Sequence, residues 1–86
     1  MSSVEEVKVQ IAASVDQVGR AAATIRGASE QLDEALARLR LTAIGSAHPS
    51  ILEAVARLEQ ARQRLDEAQT LTQGAADSAD AYRIVA

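Results

Sequence analysis

Apolar positions recur every seven residues in two blocks of this chain. The first block is Val4, Ile11, Val18, Ile25, Leu32 and Leu39; the second is Ile51, Leu58, Leu65, Thr72 and Ala79. Three residues after each comes a mostly small residue. In the first block these are Val7, Ser14, Ala21, Ala28 and Ala35, and in the second Ala54, Ala61, Ala68, Ala75 and then Tyr82. A seven-residue repeat sustained over several heptads predicts coiled-coil helices. One clear break interrupts it, Ile44-Gly45-Ser46-Ala47-His48-Pro49-Ser50. The pattern predicts a single helical hairpin over residues 1–86, with helix 1 at about 3–43, a turn at 44–49 and helix 2 at about 50–83.

The ends of these helices carry recognisable signals. Ser3-Val4-Glu5-Glu6 fits a capping box, in which the serine accepts from the backbone three residues on and the glutamate reaches back. Early Glu5 and Glu6 also suit the positive end of the helix dipole. Gly45 is expected to close helix 1 in the left-handed conformation. Pro49 bars His48 from helical geometry and suits a new helix start. Ser50-Ile51-Leu52-Glu53 reads as a second capping box. Gly19 and Gly27 fall off the repeat, as tolerated surface positions. The stretch from Thr70 to Asp80 has few large apolar residues, so weaker packing is expected there, with Ile84 and Val85 disordered beyond it.

A short connector makes the two helices antiparallel neighbours. Folding the chain about its middle sets Leu39 opposite Ala54, Leu32 opposite Ala61, Ile25 opposite Ala68 and Val18 opposite Ala75. In the other sense Ala35 meets Leu58 and Ala28 meets Leu65. Large faces small at nearly every layer, which fills space without voids and lets the backbones approach closely. Ile11 against Tyr82 is the one bulky layer, with Tyr82 as a plug at the open end and its hydroxyl in water. The predicted fold class is all-α: a two-helix antiparallel coiled-coil hairpin with an alanine-rich seam.

The two flanks of the seam differ. One carries Val15, Ala22, Leu36, Val55 and Ala76, interrupted by Ser29, Arg62 and Gln69. The other carries Gln17, Thr24, Gln31, Arg38, Arg57, Arg64, Leu71 and Ser78. The first is the expected docking face for a second hairpin, giving a homodimeric four-helix bundle. Its expected interface residues are Val15, Leu36 and Val55; Leu41 and Leu52, with Ile44, fall off the seam near the turn and either extend that interface or cap the hairpin locally. Arg38, Arg57 and Arg64 are expected to be solvated, supported by Glu34, Glu53 and Glu67 at helical spacing.

Composition sharpens this picture. Of 86 residues 48% are apolar, yet Tyr82 is the only aromatic, so the large side chains available for a core are few. A thin core is the second reason to expect a partner, most simply another copy. The net charge of −3 argues against nucleic-acid binding, which favours a basic face. No apolar run is long enough to span a bilayer. The acidic start lacks the basic and apolar regions of a secretory signal, so residence in the cytoplasm is expected, with export by a signal-peptide-independent route left open. Cysteine is absent, which removes thiol chemistry and thiolate metal sites. His48 is the only histidine and lies in the turn, without the inward carboxylates a bundle metal site uses. No catalytic residue, cofactor, metal or small-molecule substrate is expected, and the chain reads as a non-enzymatic protein–protein interaction module.

Two long helices around the Ala43-Ile44-Gly45 turn, with Tyr82 near the end, resemble the WXG family of small helical hairpins. Those proteins pass through type VII secretion systems as dimers. Gly45 and Tyr82 match that family's pattern. Ala43 stands where it has tryptophan, and no acidic residue lies four positions after Tyr82. The resemblance implies a secreted hairpin, or a partner encoded by a neighbouring gene of a secretion or toxin system. The stretch Leu58-Glu59-Gln60-Ala61-Arg62-Gln63-Arg64-Leu65-Asp66-Glu67-Ala68 and the turn Gly45 to Pro49 are also similar to helical leader regions of actinobacterial polymorphic toxins.

Overall fold

A computed structural model describes residues 3–85. Helix α1 runs over Val4–Gly45 and helix α2 over Pro49–Val85, joined by Ser46, Ala47 and His48. The helices pack side by side as an antiparallel hairpin. Its long axis is 63 Å, which is the length of α1 alone at about 1.5 Å per residue. The cross-section is 20 by 14 Å.

Ser3 caps α1 as expected. Its Oγ accepts from the Glu6 N–H at 3.1 Å, and its carbonyl accepts from Val7 at 3.0 Å. The connector departs from expectation in three ways. Gly45 is the last residue of α1, and no glycine among the described residues has positive φ. The helix stops at Ser46, whose extended backbone (φ −154°, ψ 99°) turns the chain out while its N–H still donates to the Thr42 carbonyl. A left-handed glycine is therefore unnecessary. Second, α2 begins at Pro49, and Ser50 lies inside it instead of capping it. Proline suits the first helical position because its missing N–H would be unpaired there anyway. The cap falls one residue earlier, on His48. Its Nδ1 accepts from the Ser50 N–H at 3.1 Å, and its carbonyl accepts from Ile51 and Leu52. The turn is thus three residues long instead of six. Third, α2 extends through Ile84 and Val85, helical and exposed, where disorder was expected.

The seam is where the repeat placed it, but rotated on α1. The seven-residue columns from Ile11 to Leu39 and from Ile51 to Ala79 are half-buried throughout. The three most buried residues, however, are Ala22, Ser29 and Leu36, each four residues after a column position. Leu36 is 3% exposed and Ser29 6%. Successive residues turn by about 100°, so a position four on lies about 40° round the helix and a position three on about 60° the other way. Centring α1 between the first two brings Ala22, Ser29 and Leu36 to the line of closest approach and swings the third column outward. Ser14 and Ala21 on α1, and Ala75 and Tyr82 on α2, are exposed accordingly, whereas Ala28, Ala35, Ala54, Ala61 and Ala68 remain half-buried nearer the turn. Tyr82 is 37% exposed at the open end. Helix α2 has no residue buried to the same degree.

Candidate interaction surface

Among the described residues two ion pairs cross between the helices, and both lie on one flank. Arg62 Nε donates to Asp33 Oδ1 at 2.9 Å, and Arg40 Nη2 donates to Glu59 Oε1 at 3.0 Å. Arg62 also pairs with Asp66 on its own helix. Its hydrogen bonds to the carboxylates of Asp66 and then Asp33 raise the Arg62 pKa above the ordinary arginine value, so the guanidinium stays charged. Both pairs are displaced from the expected register, which places Gln31 opposite Arg62 and Glu53 opposite Arg40. Asp33 lies two residues beyond Gln31 and Glu59 six beyond Glu53, about 3 and 9 Å along the helix.

This stitched flank is the one on which a second hairpin was expected to dock, and three of its residues are already engaged. Leu36 is buried between the helices, and Val15 and Val55 are half-buried there. The rotation of α1 draws this column into the hairpin's own seam, so Leu36 has almost no surface left for a partner. Leu41 and Leu52 stand apart from these three. They lie at the turn end, 71% and 50% exposed, beside the exposed Ile44.

The opposite flank carries no cross-helix ion pair among the described residues. Towards the turn it bears Arg38, Arg57 and Arg64. Arg57 pairs with Glu53 at 2.6 Å and Arg64 with Glu67 at 3.0 Å, each within α2. Arg38 makes no ion pair with Glu34 among the described residues. Towards the open end the same flank is charge-free. Gln10, Ser14, Gln17, Ala21 and Thr24 line α1, and Leu71, Ala75, Ser78, Tyr82 and Val85 line α2, all exposed. Leu71 is 72% exposed. The clue was in the sequence: no charge occurs in these two columns of α1 from Val7 to Ala35, or of α2 from Ala68 to Val85.

Nothing on this surface gathers chemical groups. No cluster of three His, Cys, Asp or Glu residues suited to a metal exists among the described residues. The surface depressions at Glu5–Gln10, Gln63–Leu71 and Gln69–Asp77 are open, and each is lined by a single helix. His48 is exposed, with Nδ1 occupied in capping. No described helix is long and apolar enough to cross a membrane. Compared with protein-family models, curated proteins and solved structures, the chain finds no match.

Proposed function

We propose that this protein is a non-enzymatic interaction module, a helical hairpin that associates with a second copy side by side into a four-helix bundle. One observation carries this reading. The chain exposes 6236 Å², whereas a compact monomer of its 9.1 kDa mass exposes about 4,900 Å². The radius of gyration, 19.3 Å, likewise exceeds the roughly 12 Å of a compact chain of this length. The excess, about 1,300 Å², is larger than the roughly 800 Å² each partner contributes to a standard interface. A hairpin whose seam buries three residues has apolar surface to spare, and covering it offsets part of the ordering entropy. Light scattering coupled to size exclusion tests the proposal; a folded monomer at all concentrations up to about 500 μM, where even weak dimers of this size form, would sink it.

A second reading is a WXG-like secreted hairpin, or a partner within a type VII secretion or toxin system. The two-helix architecture around Gly45 favours it. Co-purification with a secretion component supports that reading, and retention inside a secreting strain counts against it.

A further inference from the structure

We infer that the second copy docks on the charge-free flank at the open end, in an offset antiparallel overlap that leaves the two turn ends pointing away from each other. The inference rests on the self-association proposed above and names its face and geometry. The stitched flank offers less, because Ala22 and Leu36 are buried in the hairpin seam, Val15 and Val55 are half-buried, and its rim is tied by Arg62–Asp33 and Arg40–Glu59. The other flank offers Ser14, Gln17 and Ala21 beside Leu71, Ala75 and Tyr82, exposed and without a charge among them. A two-fold interface must be self-complementary. An uncharged patch satisfies that condition, and it offers no charge for an ionic partner to recognise.

The arginines decide the orientation. Parallel packing along the whole flank sets Arg38, Arg57 and Arg64 of one copy against the same residues of the other, like charge on like. Full-length antiparallel packing lays those arginines on the partner's uncharged patch, which desolvates them without a partner. Overlapping only the open halves avoids both. The patch covers residues 7–24 of α1, about 27 Å at 1.5 Å per residue, across a rod 20 Å wide. The footprint is roughly 540 Å² per copy and roughly 1,100 Å² in all, just above the ~1,000 Å² that a specific interface needs. A modest, reversible dimer follows.

Within the overlap, residues 7–24 and 71–85, three acids (Asp16, Asp77, Asp80) balance three bases (Lys8, Arg20, Arg83), net 0. Added salt therefore leaves the dimer nearly unchanged. An assembly held by charge attraction weakens instead.

The test combines light scattering with small-angle X-ray scattering on the full chain over roughly 5–500 μM. Two rods of 63 Å overlapping by about 27 Å give a maximum dimension of about 100 Å. Either full-length arrangement stays near the length of one rod. Leu71→Glu and Ala21→Glu, both at exposed helical positions, should raise the dimer dissociation constant at least about tenfold while helicity by circular dichroism is unchanged. Leu52→Glu at the turn end should leave it unchanged. A dimer near 65 Å long, or one that Leu71→Glu and Ala21→Glu leave intact, overturns this geometry and keeps self-association. A dimer that weakens with salt overturns the uncharged interface. A monomer throughout removes the self-association reading itself, and capture of a different protein by this patch overturns the second copy as its occupant.

Discussion

Replacing Ser29 with alanine should make the hairpin more stable. Ser29 lies at the line of closest approach between the helices, 6% exposed, and its Oγ has less than 1 Å² accessible and no hydrogen-bond partner. Other hydroxyls in the chain do find partners. Thr24, Thr42 and Thr70 each donate to the carbonyl four residues back, and Thr72 to that of Gln69. A buried hydroxyl left unpaired costs about 1–3 kcal/mol in proteins. Alanine is also the better helix former by roughly 0.5 kcal/mol. Against this, removing one oxygen leaves a void of roughly 12 Å³, worth about 0.3 kcal/mol. The net gain is about 1–3 kcal/mol, or roughly 5–25 °C in Tm for a domain of this size. Thermal unfolding followed at 222 nm reads it directly, at one fixed protein concentration, because self-association makes Tm concentration-dependent. Urea unfolding should show a higher midpoint at unchanged slope. The converse change, Ala22→Ser one heptad earlier, should cost a similar amount. A Tm for Ser29→Ala that is unchanged or lower refutes the reasoning. So does a rise of only ~0.5 kcal/mol, which is the helix-propensity share alone and means that the hydroxyl bonds the Ile25 carbonyl.

Three further changes probe other parts of the hairpin. His48→Ala removes the Nδ1 cap of α2 and should cost about 1 kcal/mol, whereas His48→Asp should recover it, since aspartate is a strong cap and suits the helix dipole; chemical denaturation of the pair decides, and equal losses in both variants would rule out capping. Gly19→Ala and Gly74→Ala should each stabilise by up to about 1 kcal/mol, because both are helical and a Cβ at either meets nothing within 4 Å; additive rises in Tm are the readout. Leu36→Ala should lose roughly 2–5 kcal/mol, enough to unfold much of the population if Leu36 is the main apolar anchor of the seam, as its 3% exposure indicates; a near-native Tm would deny it that role.

The all-α hairpin was legible because its signal is long and periodic. Columns such as Ile11 to Leu39 survive any local ambiguity, and each lies in the seam. The Ser3 cap was legible too, being a local bond between neighbours in the chain. The capping of α2 was misassigned because Ser50 and Glu53 fit a capping box by spacing, while Pro49, taken as the first helical residue, moves the cap to His48. The rotation of α1 was not legible, for a different reason. Positions three and four residues beyond a column lie on either side of it, and periodicity alone does not say which turns inward. The choice depends on how closely the backbones approach beside Ala22 and Ser29, and on which charges reach across. Asp33 and Arg62 are 29 residues apart in the chain, so that information exists only in three dimensions.

The same rotation that closes one flank opens the other, and the consequences reach beyond packing. Turning α1 to bury Ala22, Ser29 and Leu36 exposes Ser14 and Ala21 on the far side. Alanine and serine protrude little, so the exposed strip lets another helix approach closely. The seam it leaves behind is thin, since α2 contributes no residue as buried as those three. Stability gained from the seam is therefore small compared with that of a compact domain of equal length. Binding anything that prefers the folded hairpin then stabilises it by mass action. Folding and association become linked, and a surface mutation on the uncharged flank acts on both. In this architecture the face that meets the partner also helps to decide whether the hairpin holds together.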